Sequence, residues 1–118
     1  MEFVLTFNQP IEEIERHQDP QQGPAAMEPW MAYMREMSEA GVMRGGNRLA
    51  PPWTATTLRL RGGQRLVQDG PFADTKELAA GYVVIDVASL DEALKWAEKS
   101  PSTAIGSTEV RPVAQPPQ

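Results

Sequence analysis

Asp69-Gly70-Pro71-Phe72 and, just beyond, Asp74-Thr75-Lys76-Glu77 crowd charged and turn-forming residues into one short run. A carboxylate there can accept a proton and an ammonium can offset developing negative charge. Asp69 as general base and Lys76 as electrostatic stabiliser are therefore the candidate catalytic pair. Gly70 admits positive φ, and Pro71 fixes its own φ and withholds a donor, so the pair would be carried on a rigid bend. The bland reading of the same residues is a self-bonded Asp-Gly turn and a solvated lysine beside Glu77. A second constellation joins Trp30, Asn47, Arg48, Trp53 and Phe72, aromatic surfaces with a few polar groups, as a small-molecule pocket needs. Trp53, after Pro51-Pro52, suits a plug in a subunit interface equally well.

Composition limits the chemistry. The chain of 118 residues is one domain's worth, and a formal net charge of −5 with scattered basic residues disfavours nucleic acid as a partner. Arg59, Arg61 and Arg65 make only a small basic patch. The absence of cysteine rules out disulfides, thiolate nucleophiles and cysteine metal sites. His17 is the single histidine, so no all-protein histidine metal site can form within one chain. No glycine-rich phosphate loop and no Gly-x-Ser-x-Gly elbow occurs, and no cofactor is expected. No apolar run approaches the length needed to span a bilayer, and Met1–Phe7 lacks the features of a signal peptide. A cytoplasmic protein without a membrane partner is the expectation.

The elements that must position these residues follow from periodicity. Phe3, Leu5 and Phe7 alternate with Glu2, Val4 and Thr6, which predicts a strand over 2–7, central because both faces carry apolar residues. Residues 8–24 are polar and hold Pro10, Pro20 and Pro24, and they read as a long loop with His17 as a solvated member, although Ile11 and Ile14 would allow one helical turn. Met27, Trp30, Met31, Met34 and Met37 recur at helical steps over 26–40. A helix buried on one face explains that stripe without a soft-metal site.

A short strand from Val42 is expected to break at Gly45-Gly46, and a hairpin follows, turning at Gly62-Gly63 between Thr56–Arg61 and Gln64–Gln68. Asp74 and Glu77 have the spacing of one capped helical turn. A central strand over 81–87 and a helix over 90–99 come next. That helix opens on the capping box Ser89-Leu90-Asp91-Glu92 and buries Leu90, Ala93, Leu94 and Ala97. A last strand over 104–113 closes a single domain of residues 1–113, leaving 114–118 as a frayed tail.

This order fits an α+β fold: a ferredoxin-like split βαβ with an inserted β-hairpin and both helices on one face of an antiparallel sheet. Gly45-Gly46 through Pro51-Pro52 and Thr54-Ala55-Thr56-Thr57, then Val67 through Glu77, Gly81-Tyr82, Leu90-Asp91-Glu92-Ala93 and Glu109-Val110-Arg111-Pro112, together resemble the YCII-related family of the DGPF-domain type. The resemblance implies a homodimer in a dimeric α/β-barrel arrangement, two sheets packing face to face around a cavity. Proteins of the wider family often carry a candidate catalytic histidine near the start of the first helix, where this chain has Trp30. His17 could substitute only if its loop folds over the cavity. The function expected is binding of a small organic molecule in a sheet-lined cavity, with lyase- or isomerase-like acid–base chemistry. The alternative is a non-catalytic interaction or regulatory module of the kind that resembles partners of extracytoplasmic-function sigma factors. A bare dimeric scaffold with a vestigial pocket is a third reading.

Overall fold

The computed structural model describes residues 1–71 and 75–117. Strand β1 (Glu2–Pro10) lies inside a four-stranded sheet whose order is β2 (Met43–Arg48), β5 (Glu77–Asp86), β1, β6 (Ser107–Pro112). All three pairings are antiparallel, with Leu5 opposite both Val83 and Val110. Because β1 and β2 both run antiparallel to β5, they are parallel to each other and split by it, which is the ferredoxin-like arrangement.

Period-two alternation along β1 sends Phe3, Leu5, Phe7 and Gln9 to one face, where all four are buried. Val83 and Ile85 of β5 join them. Onto this face pack α1 (Ile11–Gln18), α2 (Gly23–Glu39), α3 (Leu90–Lys99) and α4 (Pro101–Ile105). The opposite face carries Val4, Thr6, Tyr82 and Val84, partly buried. No helix among the described residues is long and apolar enough to cross a membrane.

Several expectations need correction. The loop over 8–24 is in fact the end of β1 and a helix. Pro10 sits at the N-cap of α1, where a missing amide hydrogen costs nothing, and Ile14 is buried beneath it. Beyond α1, the Asp19 carboxylate accepts from the Gln21 and Gln22 amides at 2.7 and 3.2 Å and turns the chain into α2. The strand at Val42 does not break at Gly45-Gly46 but runs to Arg48, with a register shift between Met43 and Gly45. Gly46, at φ 150°, lies so close to β5 that a Cβ would meet the Tyr82 carbonyl at 2.5 Å, so the glycine permits the pairing rather than ending it.

The methionine stripe of α2 is also only partly core. Of its members Met37 is deeply buried, beside Tyr33, whereas Met31 is exposed. On α3, Ala93 and Ala97 are buried but Leu90 and Leu94 are about half exposed, because Trp96 takes the inward edge. Pro101 opens α4 instead of leading directly into a strand, with the Ser100 hydroxyl accepting from the Ser102 amide.

The inserted hairpin stands as expected. β3 (Thr56–Arg61) pairs with β4 (Gln64–Asp69), and Gly62 and Gly63 both take positive φ, as a two-residue turn of matching twist requires. It forms a separate two-stranded arm, and the radius of gyration of 16.2 Å exceeds the roughly 13–14 Å of a compact chain this long. Asp74 lies outside the described residues, and Glu77 begins β5 rather than ending a helical turn.

Leu5, fully buried at the sheet centre, is expected to cost ~2–5 kcal/mol on substitution by alanine. Ser89, whose hydroxyl accepts from the Glu92 amide at 3.2 Å, should cost about 1 kcal/mol as Ser89→Ala. Urea unfolding of both variants checks the order. Equal losses would contradict the assignment of the core to the helix-covered face.

Candidate functional site

A cavity of about 400 Å³ opens between α1, the N-terminal half of α2 and the β2–β5 edge. Its floor is strand β1. Phe7 meets Trp30 edge to face at 4.9 Å, Tyr33 lies 6.1 Å from Phe7, and the Tyr33 hydroxyl donates to the Trp96 carbonyl at 2.8 Å. Burial, with Glu36 nearby, holds the Tyr33 hydroxyl well above its ordinary pKa, so Tyr33 is a fixed neutral donor in the wall behind the cavity.

Helical spacing arranges the walls. On α2, Met27, Trp30, Met31 and Met34 face the cavity, with Met43 opposite them on β2, giving a pliable apolar lining. Leu49, Pro51 and Pro52 close the side beyond β2. Polar residues are few: Gln9, His17, Gln18, Arg35, Asn47, Arg48 and Tyr82. Gln9 is only 2 % exposed.

His17 is the unexpected member. It stands three residues after Ile14 on α1, so both fall on the face turned to the sheet, and its side chain is only 6 % exposed. Both ring nitrogens are buried without a hydrogen-bond partner. Nε2 lies 3.4 Å from a Glu13 carboxylate oxygen one turn earlier, and Glu13 is held in turn by Arg16 at 2.7 Å. Desolvation lowers the imidazole pKa below 6.5, Glu13 opposes that shift, and Arg48 and Arg16 add to it. The ring is therefore neutral at neutral pH and free to take a proton. Its placement depends on the corner before α2, where a Cβ on Gly23 would meet the His17 carbonyl at 2.8 Å.

His17 is thus no solvated loop residue. The condition for its use, closure of its segment over a cavity, is met by α1, and it lines the same cavity as Trp30. The spacing of Ile14 with His17 and of Glu13 with His17 was the available signal, masked by three prolines in the segment. Trp30 and Arg48 line the cavity. Asn47 does too, but its side-chain amide donates to the Tyr82 hydroxyl at 3.1 Å on the other side of the sheet, so its main chain faces the cavity.

The remaining candidates lie elsewhere. Trp53 is 53 % exposed in a 3-10 turn over Pro52–Thr54 and does not line the cavity. Asp69 ends β4 at the base of the arm, where Gly70 at φ 96° donates to the Ala55 carbonyl at 2.7 Å. Asp69 and Lys76 are both exposed, and neither forms an ion pair among the described residues or lines the cavity. Phe72 lies outside the described residues. No group of three or more histidine, aspartate or glutamate side chains that could hold a metal ion occurs among the described residues.

The fold is similar to that of 5-chloro-2-hydroxyhydroquinone dehydrochlorinase of Burkholderia phenoliruptrix AC1100, solved with 2,5-dihydroxybenzoquinone, at a TM-score of 0.54 and 18 % identity over 98 % of this chain and 96 % of that one. An uncharacterised protein of Rhizobium meliloti (strain 1021) is 49 % identical over 87 residues, 70 % of this chain and 68 % of the relative. The family model described as the YCII-related domain matches residues 1–116, and the chain accordingly belongs to the YCII-related family.

Proposed function

We propose that this protein binds a small aromatic or enolic molecule in the cavity beneath α1 and moves a proton on it with His17. The observation that carries this reading is a buried imidazole with both nitrogens unpartnered at the wall of a preformed apolar cavity. A structural histidine would normally have its nitrogens satisfied. Glu13 beside Nε2 favours the tautomer protonated there and leaves Nδ1 as the base. Removal of an acidic O–H or C–H proton generates an imidazolium facing Glu13 and leaves the electron pair on the substrate. Returning the proton to another atom is isomerisation, and expulsion of a leaving group is a lyase step. A ferredoxin-like relative that acts as a dehydrochlorinase on a hydroxylated ring is compatible with this class of chemistry.

A panel of hydroxylated aromatic compounds, including 5-chloro-2-hydroxyhydroquinone, tests the reading. Binding is followed by the Trp30 indole signal in nitrogen-15 spectra, and turnover by chloride release or by deuterium uptake from heavy water. His17→Gln should retain binding and lose turnover by roughly 10²-fold or more. A loss confined to Asp69→Ala and Lys76→Ala, with His17→Gln fully active, would move the chemistry to the base of the arm. Binding without any turnover would favour the non-catalytic module.

Stability should report the same imidazole. With the folded pKa lowered below 6.5, the unfolded chain binds more protons in the interval between the two values. The stabilisation is therefore complete above that interval and is lost as pH falls through it. Between about pH 8 and about pH 5, wild type should lose more stability than His17→Gln in urea titrations. Parallel losses would show that His17 is not held neutral.

The functional unit we propose is a homodimer. Leu58, Leu60 and Val67 share one face of the arm and are 53 %, 62 % and 60 % exposed, and an isolated two-stranded arm is only marginally stable in water. A second copy seated on that face would bury it. Light scattering should give twice the 13.0 kDa chain mass, with Leu58→Ser/Leu60→Ser raising the dissociation constant about tenfold or more. A wild-type monomer at working concentration defeats this assignment.

A further inference from the structure

The chain is acidic, with 16 carboxylate residues against 11 lysines and arginines, yet two of its guanidinium groups go without a carboxylate at the cavity. Arg16, Arg44, Lys95, Lys99 and Arg111 each lie within 4.0 Å of an acidic side chain. Arg35, on α2 one turn beyond Met31, and Arg48, at the end of β2, form no ion pair among the described residues. Both line the cavity. They approach it from different elements, so the chain has placed positive charge on two sides of an otherwise apolar space.

Resting on the cavity reading above, we propose that the ligand is an aromatic anion, its carboxylate or ring oxyanion held by Arg35 and Arg48 and its ring packed against Trp30. A planar guanidinium fork matches a carboxylate or a pair of ring oxygens in a way that an ammonium does not. Trp30 is already fixed edge to face on Phe7, which leaves the ligand an aromatic surface ordered in advance. The buried Gln9 amide supplies a neutral donor and acceptor at the floor, suited to a ring hydroxyl or carbonyl. This polarity also serves the proton transfer. Charge left on the ring when His17 takes a proton is stabilised by the Arg48 guanidinium already there, while the imidazolium is faced by Glu13.

The test uses two probes of the same shape, 2-naphthoate and 2-naphthamide, titrated into wild type and into Arg35→Gln/Arg48→Gln near neutral pH, with the Trp30 indole signal as readout. Both arginines are exposed, so the double variant should fold as wild type does. Wild type is expected to prefer the anion by about tenfold or more at low salt, a preference that shrinks as salt is added. In the double variant that ratio should fall to about one through weaker naphthoate binding, with naphthamide affinity unchanged. If wild type binds both probes equally, or the double variant keeps the preference, the anion assignment is wrong while the cavity remains a binding site. If neither probe shifts the Trp30 signal, the cavity reading itself falls with it.

Discussion

The edge-to-face contact of Phe7 with Trp30 ties the central strand to the long helix, and both the core and the cavity depend on it. On one side of that contact Phe3, Leu5, Tyr33 and Met37 close into a buried core. On the other side the helix offers methionines, Trp30 and Arg35, and the space beneath it stays open. Aromatic pairs of this geometry add roughly 0.5–1.5 kcal/mol beyond the area they bury. Here the pair also sets where packing stops. The cavity is therefore a consequence of how α2 is seated on β1, whose Phe7 belongs to both the floor and the core.

Helix α1 then decides what the cavity contains. Eight residues cannot hold a helix in water by backbone hydrogen bonds alone, so α1 exists because Ile14 is buried against the sheet. Burying Ile14 brings in His17 one turn later, because both occupy the same face. The imidazole loses its water and keeps only a nearby carboxylate, and desolvation outweighs the attraction of Glu13 in setting its protonation. Gly23 completes the arrangement by leaving the His17 carbonyl room at the corner. Protein charges complement one another across the space: Glu13 beside His17, Arg48 and Arg35 at the cavity wall, with apolar surface between them. The buried imidazole feels its neighbours more strongly than it would in water, whereas the exposed guanidinium groups are partly screened.

Around this unit the arm contributes differently. Among the described residues its two strands pair only with each other, and three large apolar side chains on one face remain open to water. Asp69, Gly70 and Pro71 sit where the arm rejoins the body. Thr57 donates to the Gly70 carbonyl at 3.0 Å and the Gly70 amide to Ala55, which makes this run a hinge pin for the hairpin rather than part of the cavity lining.

Local pattern was enough to reveal β1, the hairpin and the capped helix α3, because each depends on neighbours two to four residues away: alternation along Phe3, Leu5 and Phe7, two glycines at a two-residue turn, a serine three residues before a glutamate. The order of these elements was also enough for the split βαβ topology, since few sheets accommodate it. Trp30 and Arg48, candidates for a small-molecule pocket on residue type, both fall in the cavity lining. Which side of α2 becomes core and which becomes cavity was not legible, because identical methionines serve both and only the angle of the helix on the sheet separates them. Nor was His17. Its helix is too short and too rich in prolines and charges to be predicted by propensity, and it forms only once the sheet supplies a surface for Ile14. Residue types limited the groups that could exchange protons in this chain to carboxylates, one imidazole, two tyrosines and a few basic groups. Tertiary burial alone decided which of them lost their water, because desolvation depends on packing and not on sequence spacing.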